Sequence, residues 1–381
     1  MRTYRGVNRT TAQLLTCLFV LCAAAFSSSA QGQETATQQR HAPGKPVFVV
    51  IPRGNSEEAL QQAAVATNVP LWSSSFKFNG STFNYAMVGT NPASGSVATK
   101  IPVVIIPIRF QFGSTVIRPG QIACGDTQSA LFRIKSSPLL RAAPFVVGVT
   151  NVGTTQYIDA FQRANFWSDV STTSPGYHVR FSPVSIAAGQ TIVVPPAVGG
   201  LIGAFCGNQQ VGTVDINYFD NIAQGLITKL GIPPTSLPLF IAYDVFETIG
   251  GGCCVLGYHS STASNQTYAV ATYNDPGIFQ AAGIRDVHAL SHELGEWMDD
   301  PFGNNIVPAW GHVGQVGGCQ DNLEVGDPVT GSAFTVTLNG FTYHPEDLVF
   351  FSWFARETPS RAVNGQYTFL NAFSGPQAVC H

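Results

Sequence analysis

Residues 286–301, Asp-Val-His-Ala-Leu-Ser-His-Glu-Leu-Gly-Glu-Trp-Met-Asp-Asp-Pro, constrain the fold more than any other stretch of this chain. At 3.6 residues per turn the segment reads as a helix with two unlike faces. His288, His292 and Glu296 stand four apart and share one stripe about 80° wide, with Asp299 at its far end. Val287, Leu290, Leu294, Trp297 and Met298 form the opposite stripe, which such a helix has to bury. One side must therefore meet a core while the other presents potential metal ligands.

The spacing has a chemical reason. Two side chains four residues apart on a helix can converge on one ion without help from a loop. His292-Glu293-x-x-Glu296 is the H-E-x-x-H pattern with a glutamate in the second histidine's place. Glu293, offset by one residue, flanks the ion as a general base for an attacking water. Gly295 leaves room beside the stripe for substrate or neighbouring backbone. A carboxylate at 296 suits Zn2+, the expected ion, and its charge also admits Mn2+ or Ca2+. A third ligand has to come from elsewhere: Glu324 in the acidic, glycine-rich stretch 319–327 is the first choice, then His312, then His288. Asp299, Asp300 and Asp327 are expected to orient the ligands. Blander readings stay open, in which the stripe is a polar helix face and Asp321, Glu324 and Asp327 form a solvated turn or a calcium loop.

In order along the chain, His292-Glu293-x-x-Glu296, Asp300-Pro301, Ala309-Trp310 and Glu324-Val325-Gly326-Asp327 resemble the secreted exordium-like (phosphate-induced) proteins. They are equally similar to bacterial secreted proteins with zincin-like H-E-x-x-E helices. The resemblance is strong from the helix to Asp327 and faint elsewhere. It implies His292, Glu296 and Glu324 as metal ligands and Glu293 as base, and it leaves His288 outside the shared pattern. It speaks for a metallopeptidase-like architecture more than for peptidase activity. The expected fold is α+β and zincin-like: a mixed sheet backed by helices, with the active-site helix below an edge strand. A loop-rich, disulfide-stapled C-terminal part would close the cleft.

The first thirty residues read as a secretory signal peptide, with Arg2, Arg5 and Arg9 before an apolar run and Ser28-Ser29-Ala30 as the cleavage site. Residues 31–45 read as a disordered leader. Residues 46–381 then form one domain, with a sheet-and-helix part to 300 and a loop-and-hairpin part beyond. Cys124, Cys206, Cys253, Cys254, Cys319 and Cys380 remain after cleavage, enough for three disulfides among 15 pairings. Adjacent Cys253 and Cys254 are expected to staple distant segments rather than bond each other. No later run is long and apolar enough to span a bilayer. The net charge of −3 and the scattered Lys and Arg give no reason to expect nucleic acid.

Periodicity places strands at 46–51, 82–89, 101–112, 238–246 and 267–274, and helices at 56–65, 128–140, 155–167 and 217–230. Asn339-Gly340 marks a hairpin joining 334–338 to 341–343. His259 before Ser260 lacks a nucleophile elbow and reads as no serine hydrolase; His344 and His381 read as surface groups. Phe350, Phe351, Trp353 and Phe354 read as core, with a carbohydrate-binding platform as the alternative. The functional expectation is a secreted or periplasmic, monomeric, metal-dependent peptidase acting on a peptide or protein. The rival is a non-catalytic exported metalloprotein with a structural ion that binds a cell-wall, carbohydrate or protein partner.

Overall fold

Continuous aliphatic runs such as Val47–Ile51 and Leu237–Tyr243 are buried at every position, as strands covered on both faces must be. In the computed structural model, which describes residues 46–206, 209–377 and 379–380, they lie inside one sheet of twelve strands. The expected signal peptide and leader, and His381, lie outside the described residues. The sheet runs in the order Gly199–Phe205, Gln209–Asp215, Val245–Ile249, Gly252–Ser261, Thr267–Phe279, Leu237–Tyr243, Ala98–Phe112 and Thr115–Ile117. Val47–Ile51 adds parallel to Gly252–Ser261, and His178–Ile186 and Gln190–Val193 add parallel to Ala98–Phe112. Ile284–Asp286 adds to Thr267–Phe279 and leads into the helix His288–Asp299.

Strand alternation sorts two helices onto opposite faces. Tyr268 turns to one face, where its hydroxyl donates to Asp220 of the helix Ile216–Lys229. Its neighbour Thr267 turns to the other and accepts a hydrogen bond from Trp297 Nε1 at 2.9 Å. The helix Ile216–Lys229 is set by its Asp215 cap, which accepts from Tyr218 N, and by Phe219, which packs on Phe110 and Phe240. The helix Tyr157–Asn165 lies beside the site helix, tied to it by Gln162 and Asn165, which both donate to Asp299.

The zincin-like α+β expectation is overturned. Strands hold 43% of the residues and helices 21%, and the large mixed sheet curls into a half-barrel, whereas a zincin fold is rich in helix. The strand above the site helix is also no edge: Gly252–Ser261 pairs with Val245–Ile249 and Val47–Ile51 on one side and Thr267–Phe279 on the other. The helix motif carried the expectation, and strands without a clean apolar signature went unseen. Leu71–Phe78, His178–Ile186 and Gly199–Phe205 are rich in Ser, Gly or exposed positions, so neither a long apolar run nor strict alternation marks them.

Among the cysteines, Cys124 bonds Cys206 and Cys319 bonds Cys380. Cys253 and Cys254 bond each other, which corrects the expectation that they staple two distant segments. Phe350, Phe351, Trp353 and Phe354 are at most 2% exposed, so they are core and form no carbohydrate platform. The Asn339-Gly340 hairpin is present, joining Val336–Leu338 to Phe341–Tyr343. Among the described residues no helix is long and apolar enough to cross a membrane.

Candidate metal centre

The helix His288–Asp299 begins after its cap residue Val287, whose N–H donates to the Asp286 carboxylate at 2.6 Å. It ends at Asp300, whose carboxylate accepts the N–H groups of Asn304 and Asn305 and so shapes the turn begun by Pro301. Every residue of the helix is buried, the polar stripe as completely as the apolar one. Gly295 lies against Leu348, where an added Cβ would stand 2.3 Å from a methyl carbon. The glycine therefore makes room for core packing rather than for substrate.

His292 and Glu296 meet as the spacing requires, with His292 Nε2 3.0 Å from Glu296 Oε1. The other ring nitrogen, Nδ1, is 2.5 Å from Glu346 Oε2. A proton on Nδ1 leaves the Nε2 lone pair facing Glu296, the carboxylate–histidine arrangement that orients imidazole ligands. The ring is sandwiched between Phe48, stacked at 3.7 Å, and Gly326, where a Cβ would stand 2.4 Å from Nδ1. Gly326 N–H donates to Glu296 Oε1 at 3.2 Å. This glycine lets the downstream loop close onto the helix.

A second imidazole enters from the sheet. His259 turns to the same face as Gly257, and its Nε2 is 2.9 Å from the Asp300 carbonyl oxygen. Only a protonated nitrogen bonds a carbonyl, so Nδ1 carries the lone pair. Nδ1 lies 3.2 Å from Glu293 Oε2 and 3.8 Å from Glu296 Oε2. Donor atoms of His259, Glu296 and Glu324 fall within 4.8 Å of one another, as do those of His292, Glu293 and Glu296. Glu296 is the shared member. Glu324 is held by Asn322 Nδ2 at 3.0 Å through one oxygen, and its other oxygen has no hydrogen-bond partner.

The remaining candidates separate. Asp327 lies 3.6 Å from His292 Nε2 and is fixed by Gln315 and Gln320, beside the centre. Asp300 serves the turn and, through its carbonyl, His259. Asp299 points to Gln162 and Asn165, away from the ligands. His288 faces Glu346 Oε1 at 3.0 Å and supports the site from behind. His312 is exposed next to the Cys319–Cys380 bond and takes no part. His344 is no loose surface group, because its Nδ1 bonds Asp286 at 2.6 Å. Sequence reading missed His259 and Glu346 as members of the site. The signal for His259 is its place in a Gly257-x-His259-x-Ser261 alternation, whereas Glu346 sits in a loop with no pattern at all.

The electrostatics follow from burial. Desolvation holds the Glu293 and Glu324 carboxyls well above the usual range, with Glu296 adding repulsion. Burial pushes Asp300 and Asp327 up to about 7 and His259 down to about 4. Burial also opposes charge on Glu296, yet His292, held above its own ordinary value against burial by Glu296 and Glu346, keeps that carboxyl below its ordinary value; a metal ion on Nε2 would take the place of the proton that charges the ring. The centre thus gathers more carboxylates than its imidazoles can neutralise, in a place where water cannot help. Buried charge of one sign requires protons or a cation. Each of the two groups that share Glu296 offers one imidazole and two carboxyl groups, N and O donors of the kind that Zn2+ accepts and Mn2+ tolerates.

No protein-family model, curated protein or solved structure matches this chain.

Proposed function

We propose that this chain is an exported metalloprotein in which His259, His292, Glu296 and Glu324 hold one divalent cation, most suitably Zn2+, as a structural centre. The observation that carries the reading is closure: all four side chains are at most 1% exposed. They come from a sheet strand, the site helix and the loop after the Ile306–Val313/Val316–Asn322 hairpin. A closed donor set is the mark of a structural site, whereas a catalytic site keeps a coordination position open to substrate. The ion would supply cross-linking of those three segments. Three cysteine pairs favour an oxidising compartment.

A second reading, a metal-dependent peptidase with Glu293 as base, draws on one feature. Glu293 Oε1 is buried and has no hydrogen-bond partner, although Gly257 opposite leaves it space. Against it, Gly252–Ser261 has no free edge on which a peptide could add as a strand. Thermal unfolding with and without a strong chelator, paired with peptide hydrolysis by the wild type and Glu293→Gln, separates the two. A lower melting temperature on chelation with no Glu293-dependent hydrolysis supports the structural centre. Hydrolysis that vanishes in Glu293→Gln while the metal stays bound establishes the peptidase instead.

A further inference from the structure

Two clefts of about 500 and 330 Å3 meet where they share Gln156, Phe181 and Ser182. Lys135 and Arg141 line the first; Lys100 and Arg180 line the second; neither lining contains an Asp or Glu. That is unusual here, because the chain has 22 acidic residues against 19 Lys and Arg. Among the described residues Lys100, Lys135 and Arg141 make no ion pair, and Arg180 has one, with Asp159 at 3.6 Å, besides donating to the Thr155 hydroxyl. Lys100 and Arg180 are also direct cross-strand partners in the register of Ala98–Phe112 and His178–Ile186. Like charges placed opposite each other cost stability. A bound anion would convert that repulsion into binding.

The rest of the lining narrows the class. Thr154 and Ser182 offer hydroxyls, that of Thr155 being taken by Asp159 and Arg180, while Leu140, Val184 and Ile186 give an apolar wall. A bare inorganic anion uses neither. A uronic-acid oligosaccharide has carboxylates for the cations, hydroxyls for the polar side chains and C–H faces for the apolar wall. The combined space falls in the range of small-ligand sites. We infer that the cleft between Lys100, Lys135, Arg141 and Arg180 binds a short acidic oligosaccharide, independently of the buried centre.

Titration calorimetry with trigalacturonate tests this on the full chain, using Lys100→Ala and Arg141→Ala. Both residues are exposed, and circular dichroism and melting temperature check that each variant folds. Expected are saturable binding that weakens with salt, a loss of about tenfold in affinity for each variant, and no binding of the methyl-esterified trimer. Absent binding, variants that bind like the wild type, or equal binding of the neutral trimer would overturn the proposal. Inorganic phosphate binding as tightly as the trimer would overturn the carbohydrate assignment.

Discussion

Glu346 is the residue on which the state of His292 depends, and Glu346→Gln isolates that role. One carboxylate oxygen lies 2.5 Å from His292 Nδ1; the other accepts the Gly331 N–H at 3.0 Å and faces His288 Nε2 at 3.0 Å. Glutamine keeps the shape but has only one acceptor oxygen. If that oxygen serves Gly331, the amide NH2 confronts His292 Nδ1, which must then become an acceptor. The ring's proton moves to Nε2, the atom 3.0 Å from Glu296, and the lone pair that should face the ion is lost. If the amide turns the other way, its NH2 confronts the Gly331 N–H. Changes to such supporting carboxylates lower metal affinity about 10–100-fold, or about 1.4–2.7 kcal/mol. Competition for Zn2+ with a chromophoric chelator measures this, with the metal-free melting temperature as the folding control. An intermediate loss, smaller than that of His292→Ala, is expected. Wild-type affinity in a folded Glu346→Gln chain would refute the tautomer argument.

Four further outcomes follow from the same geometry. Gly326→Ala puts a Cβ 2.4 Å from His292 Nδ1, so it should cost about 1–3 kcal/mol and weaken metal binding together, read by denaturant unfolding and the chelator assay. His259→Ala should release the metal and His312→Ala should not, as elemental analysis of both will show; equal retention would remove His259 from the centre. Burial pushes the Glu247 carboxyl up to about 8, and its Oε2 has no hydrogen-bond partner. A raised folded pKa means stability is fully present below about pH 4.5 and is lost as pH rises toward 8, by at most about 1.4 kcal/mol per unit. Glu247→Gln should thus gain stability over the wild type between pH 5 and 8 in parallel urea unfolding curves, and a pH-independent difference would contradict it. The Cys319–Cys380 bond spans 61 residues; replacing both with Ser should cost about 4 kcal/mol on chain-entropy grounds.

How much the sequence revealed depended on how local each signal was. The site helix, its two stripes and the pairing of His292 with Glu296 follow from helical spacing alone. Glu324 could be placed because a loop dense in acids and glycine had to fold back onto the helix. The helices near 157 and 216 and the Asn339-Gly340 hairpin were legible through periodicity and turn chemistry. The half-barrel was not, because its pairings join segments as distant as Val50 and His259, or Lys100 and Arg180. No local pattern encodes such contacts. His259 and Glu346 were invisible for the same reason: each reaches the centre only through the long-range register of a strand or a loop. The complete burial of the polar stripe is likewise a tertiary fact, one that helical spacing alone does not encode.

Elemental analysis of the purified, folded chain after dialysis against a weak chelator tests the central claim most directly. The account predicts about one Zn2+ or Mn2+ per chain, absent from His292→Ala and Glu296→Ala. A wild-type chain that is folded and holds no divalent metal, even after incubation with Zn2+, would contradict it.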